Sequence, residues 1–157
     1  VFLEDGMRPD ATDQTHRWAI SGFGGLLRNG TILPTANDVR HPRTALGLSR
    51  DAHQLTLLVV DGRQPSISEG VSEFELAELL LACDCADAMN LDGGGSSIML
   101  LPQSAGGLTI ANHPSDASGA RPVPGSGRCG YIGWGRCGCR RTGQTARWHA
   151  GRGCWGR

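Results

Sequence analysis

Two apolar segments bracket one amphipathic helix, and this order constrains the fold more than any other feature of the chain. Leu55 to Val60 is apolar and partly β-branched, which reads as a buried strand. It stops at Asp61-Gly62-Arg63, a turn signal, and a loop rich in Ser, Pro and Gly leads on to Val71. Ser72 and Glu75 then form the S-x-x-E pattern of a capping box. Phe74, Ala77, Leu80 and Leu81 recur at helical spacing, Leu76 and Leu79 widen the apolar face, and the helix should end near Cys83. Ala86 to Leu91 reads as a second strand and Ile98 to Leu101 as a third, with Asp92-Gly93-Gly94-Gly95-Ser96-Ser97 between them. Strand, helix, strand implies a right-handed βαβ crossover whose parallel strands finish on one edge of a sheet. Asp61 and Asp92 then follow two strand ends on the same rim, where ligands of open α/β sheets tend to bind. Aspartates after strands are also ordinary turn formers, and Asp-Gly-Gly is equally a hairpin signal, so a purely structural reading stays open here.

The rest of the chain supports a small α+β domain of α/β-like character. Trp18 to Leu27 suggests short strands broken by Gly22, Gly24 and Gly25, and Arg28-Asn29-Gly30-Thr31 a hairpin turn into Ile32-Leu33. Thr44 to Leu48 reads as a strand, and Asn112 to Asp116 as a loop. The expected fold is a single mixed-sheet domain with one βαβ unit over 17–124, followed by an irregular tail over 125–157.

Charge divides the chain at the same place. Residues 1–120 hold seven arginines and all fifteen acids, whereas residues 121–157 hold eight arginines and no acid. Ten of those last 37 residues are glycine, too few apolar groups remain to offset ordering entropy, and the tail is expected to be disordered or weakly packed. Its Trp134, Trp148 and Trp155 among arginines would suit stacking and charge contacts with single-stranded nucleic acid, but nucleic acid is not the expected partner. No apolar run reaches the ~18 residues needed to cross a bilayer, so no membrane partner is expected. Cys83 and Cys85 read as free thiols beside the helix. Cys137-Gly138-Cys139 is tighter than the usual zinc-site spacing, so for Cys129, Cys137, Cys139 and Cys154 a disulfide set is favoured over a zinc site.

Several segments in fixed order resemble the phosphodiester glycosidase domain family. They are Arg43-Thr44-Ala45-Leu46-Gly47, Val60-Asp61-Gly62-Arg63, the helix around Phe74-Glu75-Leu76-Ala77, and Asn90-Leu91-Asp92-Gly93-Gly94-Gly95-Ser96-Ser97. Asn112-His113-Pro114-Ser115-Asp116 and Arg121-Pro122-Val123 are similar to its closing elements. The family's domain starts further upstream, with an Asn-Gly-Gly-Phe-Phe-like segment that has no counterpart here, so a domain truncated at its N-terminus is expected. After Arg121-Pro122-Val123 the family continues into an apolar strand, and a shifted reading frame in the gene is the expected cause of the change to Gly and Arg.

The resemblance implies hydrolysis of the glycosidic bond in a sugar 1-phosphodiester of the α-N-acetylglucosamine type. The partner is then a glycan or sugar phosphate, and the setting extracytoplasmic or secreted. Such cleavage commonly uses two carboxyls flanking the anomeric carbon. Asp92 and Asp61 are the candidates, Asp92 first. Arg43 offers a planar fork for phosphate oxygens, or else a plain ion pair. Gly93, Gly94 and Gly95 offer main-chain donors, Ser96 and Ser97 hydroxyls, and Asn90, Asn112 and Arg121 further polar contacts. His41 and His113 stand beside prolines and read as solvated. No cofactor is required; Asp61 and Asp92 with backbone oxygens would suit a calcium ion, but no ligand array demands one. The alternative is a non-catalytic fragment that binds carbohydrate or sugar phosphate without turnover.

Overall fold

A computed structural model describes residues 20, 22–35 and 38–120 and, by its backbone, the strand at 145–149. β1 (Gly24–Arg28) and β2 (Thr31–Ile32) form the expected hairpin, with Arg28 opposite Thr31. Both turn residues, Asn29 and Gly30, take positive φ, the conformation a two-residue hairpin loop demands. β3 (Arg43–Ser49) turns at residues 50–53 into β4 (Gln54–Val60). After a bridged loop, α1 (Glu73–Ala82) leads through Asp84 to β5 (Cys85–Asn90). β6 (Leu100–Pro102) and β7 (Leu108–Ile110) make a separate hairpin, and β8 (Thr145–His149) adds to β4.

The main sheet runs β2-β1-β5-β3-β4-β8, and each neighbouring pair is antiparallel. The βαβ unit is therefore split. β3 lies between β4 and β5 and is antiparallel to both, so the two strands of the unit run parallel at one remove. A four-residue connection commits β4 to β3, and the chain leaving α1 then docks on the free edge of β3. The consequence foreseen in the sequence holds: β4 and β5 end on the same edge. Arg43 pairs with Val60 and Ala45 with Asn90, which sets the start of β3 between those ends.

α1 begins as its capping box requires. Ser72 Oγ accepts from the Glu75 N–H, and Glu75 Oε2 accepts from the Ser72 N–H. Leu76, Ala77 and Leu80 are fully buried against Leu26, Ala45, Leu58, Cys85 and Ala88 of the sheet. Phe74, Leu79 and Leu81 of the same helix are exposed, so the face that packs is narrower than the apolar sequence of α1 suggests.

Three local expectations change. The triple glycine is not a hairpin turn; it enters a 3₁₀ turn, Gly94–Ser96, which carries the chain from the main sheet into the β6–β7 hairpin. The strand expected over 98–101 begins at Leu100. Within the tail, residues 145–149 form a strand paired with Gln54 to Leu58 of β4. The remainder of the tail, with Arg121-Pro122-Val123, Cys129, Cys137, Cys139 and Cys154, lies outside the described residues. Cys83 and Cys85 form no disulfide among the described residues, and Cys85 is buried. No helix among the described residues is long and apolar enough to cross a membrane.

Candidate active site

A cleft of about 420 Å³ opens where β3 starts and β5 ends. Its wall is built from His41, Pro42 and Arg43 before and at the start of β3, Asn90 to Gly95 after β5, and Phe23, Arg63 and Glu73 around them. This size lies within the range of small-ligand sites.

The glycine-rich loop is fastened to the strand beside it. Leu91 N–H donates to Thr44 O at 2.8 Å, and Gly94 N–H to Pro42 O at 2.8 Å. Ser96 and Ser97 N–H close the 3₁₀ turn on Gly93 O and Gly94 O, both at 3.1 Å. The loop amides with no acceptor among the described residues are then those of Asp92, Gly93 and Gly95. Glycine is required for this close seat: a Cβ on Gly93 would stand 2.7 Å from Pro42 O, and Gly94 has φ +60°. The amide cradle read from the sequence therefore exists only in part, because one of its three glycine donors, Gly94, holds the loop in place.

The two expected carboxylates have different surroundings. Asp92 is exposed, lines the cleft and has no hydrogen bond or ion pair among the described residues. Asp61 is mostly buried and does not line the cleft. Its Oδ1 accepts from Asn112 Nδ2 at 2.9 Å and from the His113 N–H at 2.9 Å, and its Oδ2 accepts from the same N–H at 3.1 Å. The His113 ring lies 3.5 Å from Oδ2. Asn112 extends the connection by donating to Ser97 O at 3.0 Å and accepting from Met99 N–H at 2.8 Å. Thr44 Oγ1 meets Ser97 Oγ at 3.3 Å. Asp61, Asn112 and Ser97 thus clamp the exit of the glycine loop to the end of β4. A calcium ion shared by Asp61 and Asp92 gains no support from an Asp61 turned towards N–H donors, and no group of three His, Cys, Asp or Glu among the described residues is placed to hold a metal.

The cations also separate. Arg43 is buried; its Nε donates to Val71 O at 3.2 Å, Nη2 to Val39 O at 3.0 Å and Nη1 to Glu73 Oε1 at 3.3 Å. It borders the cleft while bracing the segments on either side of it. Arg63, not singled out as a site residue from sequence, is exposed at the rim, with Nη2 3.5 Å from His41 Nδ1. Glu73 and Phe23 were missed too; nothing in their sequence context marks them. Asn90 is buried, lines the cleft, and its Oδ1 has no hydrogen-bond partner among the described residues. Ser96, Ser97 and Asn112 are buried behind the loop, outside the lining, and Arg121 lies outside the described residues.

One helix on an antiparallel sheet, with a polar cleft at coincident strand ends, defines an α+β domain. The chain belongs to the phosphodiester glycosidase family, whose model matches residues 5–126. It is 36% identical over 115 residues to the N-acetylglucosamine-1-phosphodiester alpha-N-acetylglucosaminidase of Bos taurus, covering 62% of this chain and 20% of that protein. The protein of the same name from Mus musculus is 39% identical over 115 residues, with 62% and 21% covered. The chain thus spans about a fifth of the length of these relatives. The catalytic domain of the zebrafish protein of that name, solved in a form auto-inhibited by its pro-peptide, aligns with a TM-score of 0.50 and 26% identity, covering 85% of this chain and 42% of that one.

Proposed function

We propose that this chain acts on a sugar 1-phosphodiester of the α-N-acetylglucosamine type and hydrolyses its glycosidic bond. The observation that carries the reading is a cleft-lining carboxylate, Asp92, with no partner among the described residues, two positions after cleft-lining Asn90, whose buried Oδ1 likewise has none among them. A buried acceptor left unpaired costs about 1–3 kcal/mol, and a turn of the Asn90 amide towards the cleft lets a ligand donor meet it. A sugar hydroxyl or acetamido N–H supplies that donor. Phe23, 76% exposed at the rim, offers an apolar ring to the sugar's carbon face.

In the reaction, water adds to the anomeric carbon, the C1–O bond to phosphate breaks, and the phosphomonoester leaves with the bridging oxygen. Asp92 takes the proton from the attacking water. Phosphate is a good leaving group and needs little protonation, so one free carboxylate is sufficient. Asp61 is assigned to positioning, through Asn112 and the glycine loop. An extracytoplasmic setting belongs to the same reading and rests on family membership alone.

The test is release of N-acetylglucosamine from its methyl 1-phosphodiester. Active wild type and an Asp92→Asn variant about 100-fold or more slower, with unchanged melting, are expected. An Asp92→Asn variant as fast as wild type removes Asp92 from the chemistry. One observation favours a second reading, binding without turnover: the other carboxylate lining the cleft, Glu73, is paired with Arg43. Affinity for the diester with no sugar released would select that reading.

A further inference from the structure

The cleft holds two arginines, and they are not equivalent. Arg43 has its guanidinium bound to two carbonyls and a carboxylate of the protein. Arg63 has no carboxylate partner among the described residues; the one hydrogen bond of its guanidinium among them is to the ring nitrogen of His41. A guanidinium at a cleft rim with no carboxylate in ion-pair reach among the described residues is matched to an anionic ligand.

The backbone around Arg63 is set to aim it. Arg63 has φ +56°, an unfavourable conformation for a side-chain-bearing residue, and such strain persists only where neighbours impose it. The imposing contacts are visible. Arg63 N–H donates to Glu69 O at 3.3 Å, Gln64 and Ser68 form a bridge, and Gln64 Nε2 donates to His113 O at 2.9 Å. Before it, Gly62 packs so tightly that a Cβ there would lie 2.7 Å from Pro42 N. The side chain then lies over Gly94: a Cβ on that residue would be 3.1 Å from Arg63 Nη1 and 3.3 Å from Nη2. On either side of Gly94 stand Gly93 and Gly95, whose amides have no acceptor among the described residues.

We infer that Arg63, over the Gly93–Gly95 loop, is the residue that grips the phosphate of the ligand. This deepens the proposed function and rests on it for the identity of the sugar. The cleft is then divided by charge: a phosphate lies between the Arg63 fork and the loop amides, and the sugar lies towards Asn90, Asp92 and Phe23. The phosphate's charge beside Asp92 is balanced by Arg63, which lets a carboxylate and a phosphodiester occupy the same cleft.

The test compares binding of N-acetylglucosamine 1-phosphate and of N-acetylglucosamine to the full chain by titration calorimetry, for wild type, Arg63→Gln and Arg63→Lys. Wild type should prefer the phosphorylated sugar. Arg63→Gln should weaken that ligand by about 10- to 100-fold, the scale of charge-assisted hydrogen bonds, and leave N-acetylglucosamine unchanged. Arg63→Lys should recover part of the loss, since a point charge replaces a fork. The inference is overturned if Arg63→Gln, with wild-type melting, binds the phosphorylated sugar as wild type does, or if wild type shows no preference for it. Failure of the hydrolysis reading looks different: phosphate-dependent, Arg63-dependent binding with no sugar released from the methyl diester keeps the grip and removes the turnover.

Discussion

Replacing Asp61 separates a residue that positions the site from one that reacts in it. Its carboxylate accepts three hydrogen bonds, from Asn112 Nδ2 at 2.9 Å and from the His113 N–H at 2.9 and 3.1 Å. The two N–H bonds share one donor, so Asp61→Ala removes the acceptor of two groups. A hydrogen bond to a charged group contributes about 1.5–3 kcal/mol. Discounting follows from geometry: His113 is exposed and water reaches it, while Asn112 keeps its bond to Ser97 O. The net loss is then about 2–3 kcal/mol, or a fall of about 10 °C in Tm for a domain of this size. The ion pair with the exposed His113 ring adds nothing measurable. Asp61→Asn keeps one acceptor oxygen and should cost only about 1 kcal/mol. The assay is thermal melting beside turnover of the methyl diester. If Asp61 positions, Asp61→Asn melts slightly early and keeps kcat within about tenfold of wild type. A reacting carboxylate would behave the opposite way, with unchanged melting and a loss of about 100-fold or more. That second pattern would refute the clamp and return Asp61 to the chemistry.

Other perturbations follow from the same contacts. Arg43→Met leaves Val39 O, Val71 O and Glu73 without their buried donor, so urea unfolding should show a loss of about 3 kcal/mol; a stable variant with weakened phosphate binding would instead make Arg43 the phosphate fork. Gly94→Ala places a Cβ against the Arg63 guanidinium at φ +60°, and calorimetry should show weaker binding of the phosphorylated sugar together with about 1 kcal/mol lost from stability; unchanged binding would contradict the placement of Arg63. The Ser72 N–H first, then Arg40, hold the Glu75 carboxyl below the ordinary glutamate range. Its contribution is therefore complete above the unfolded value of about 4.3 and is lost as pH falls through the lower folded value. The stability advantage of wild type over Glu75→Gln should be larger at pH 7 than at pH 3, and an advantage independent of pH would contradict the cap.

Asp61 and Asp92 show how far a sequence can be read towards a site. Each follows a strand and precedes glycine, and although the glycine run favours Asp92, nothing local shows which of the two is held by partners. What distinguishes them is Asn112 and His113, about fifty residues downstream of Asp61, which arrive in space only through the β6–β7 hairpin. Arg43 and Arg63 are alike in the same way. Their difference lies in Val39, Val71 and Glu73, which close around one guanidinium and leave the other at the rim. The unpaired Asn90 oxygen is likewise a property of packing and has no mark in the sequence.

Short-range rules were enough for the local features. The Asn29-Gly30 turn, the Ser72–Glu75 cap and the β4–α1–β5 order each depend on a few adjacent dihedrals or on hydrophobic period, and each stands as read. Tertiary structure alone decided that β3 separates β4 from β5, that Gly94 ties the glycine loop down, which acid lines the cleft, and which of the two cleft arginines is held by protein acceptors. The physical reason is that a charged side chain is silenced or left available by the donors and acceptors around it. In this protein those groups come from distant strands, whose meeting depends on the global register of the sheet.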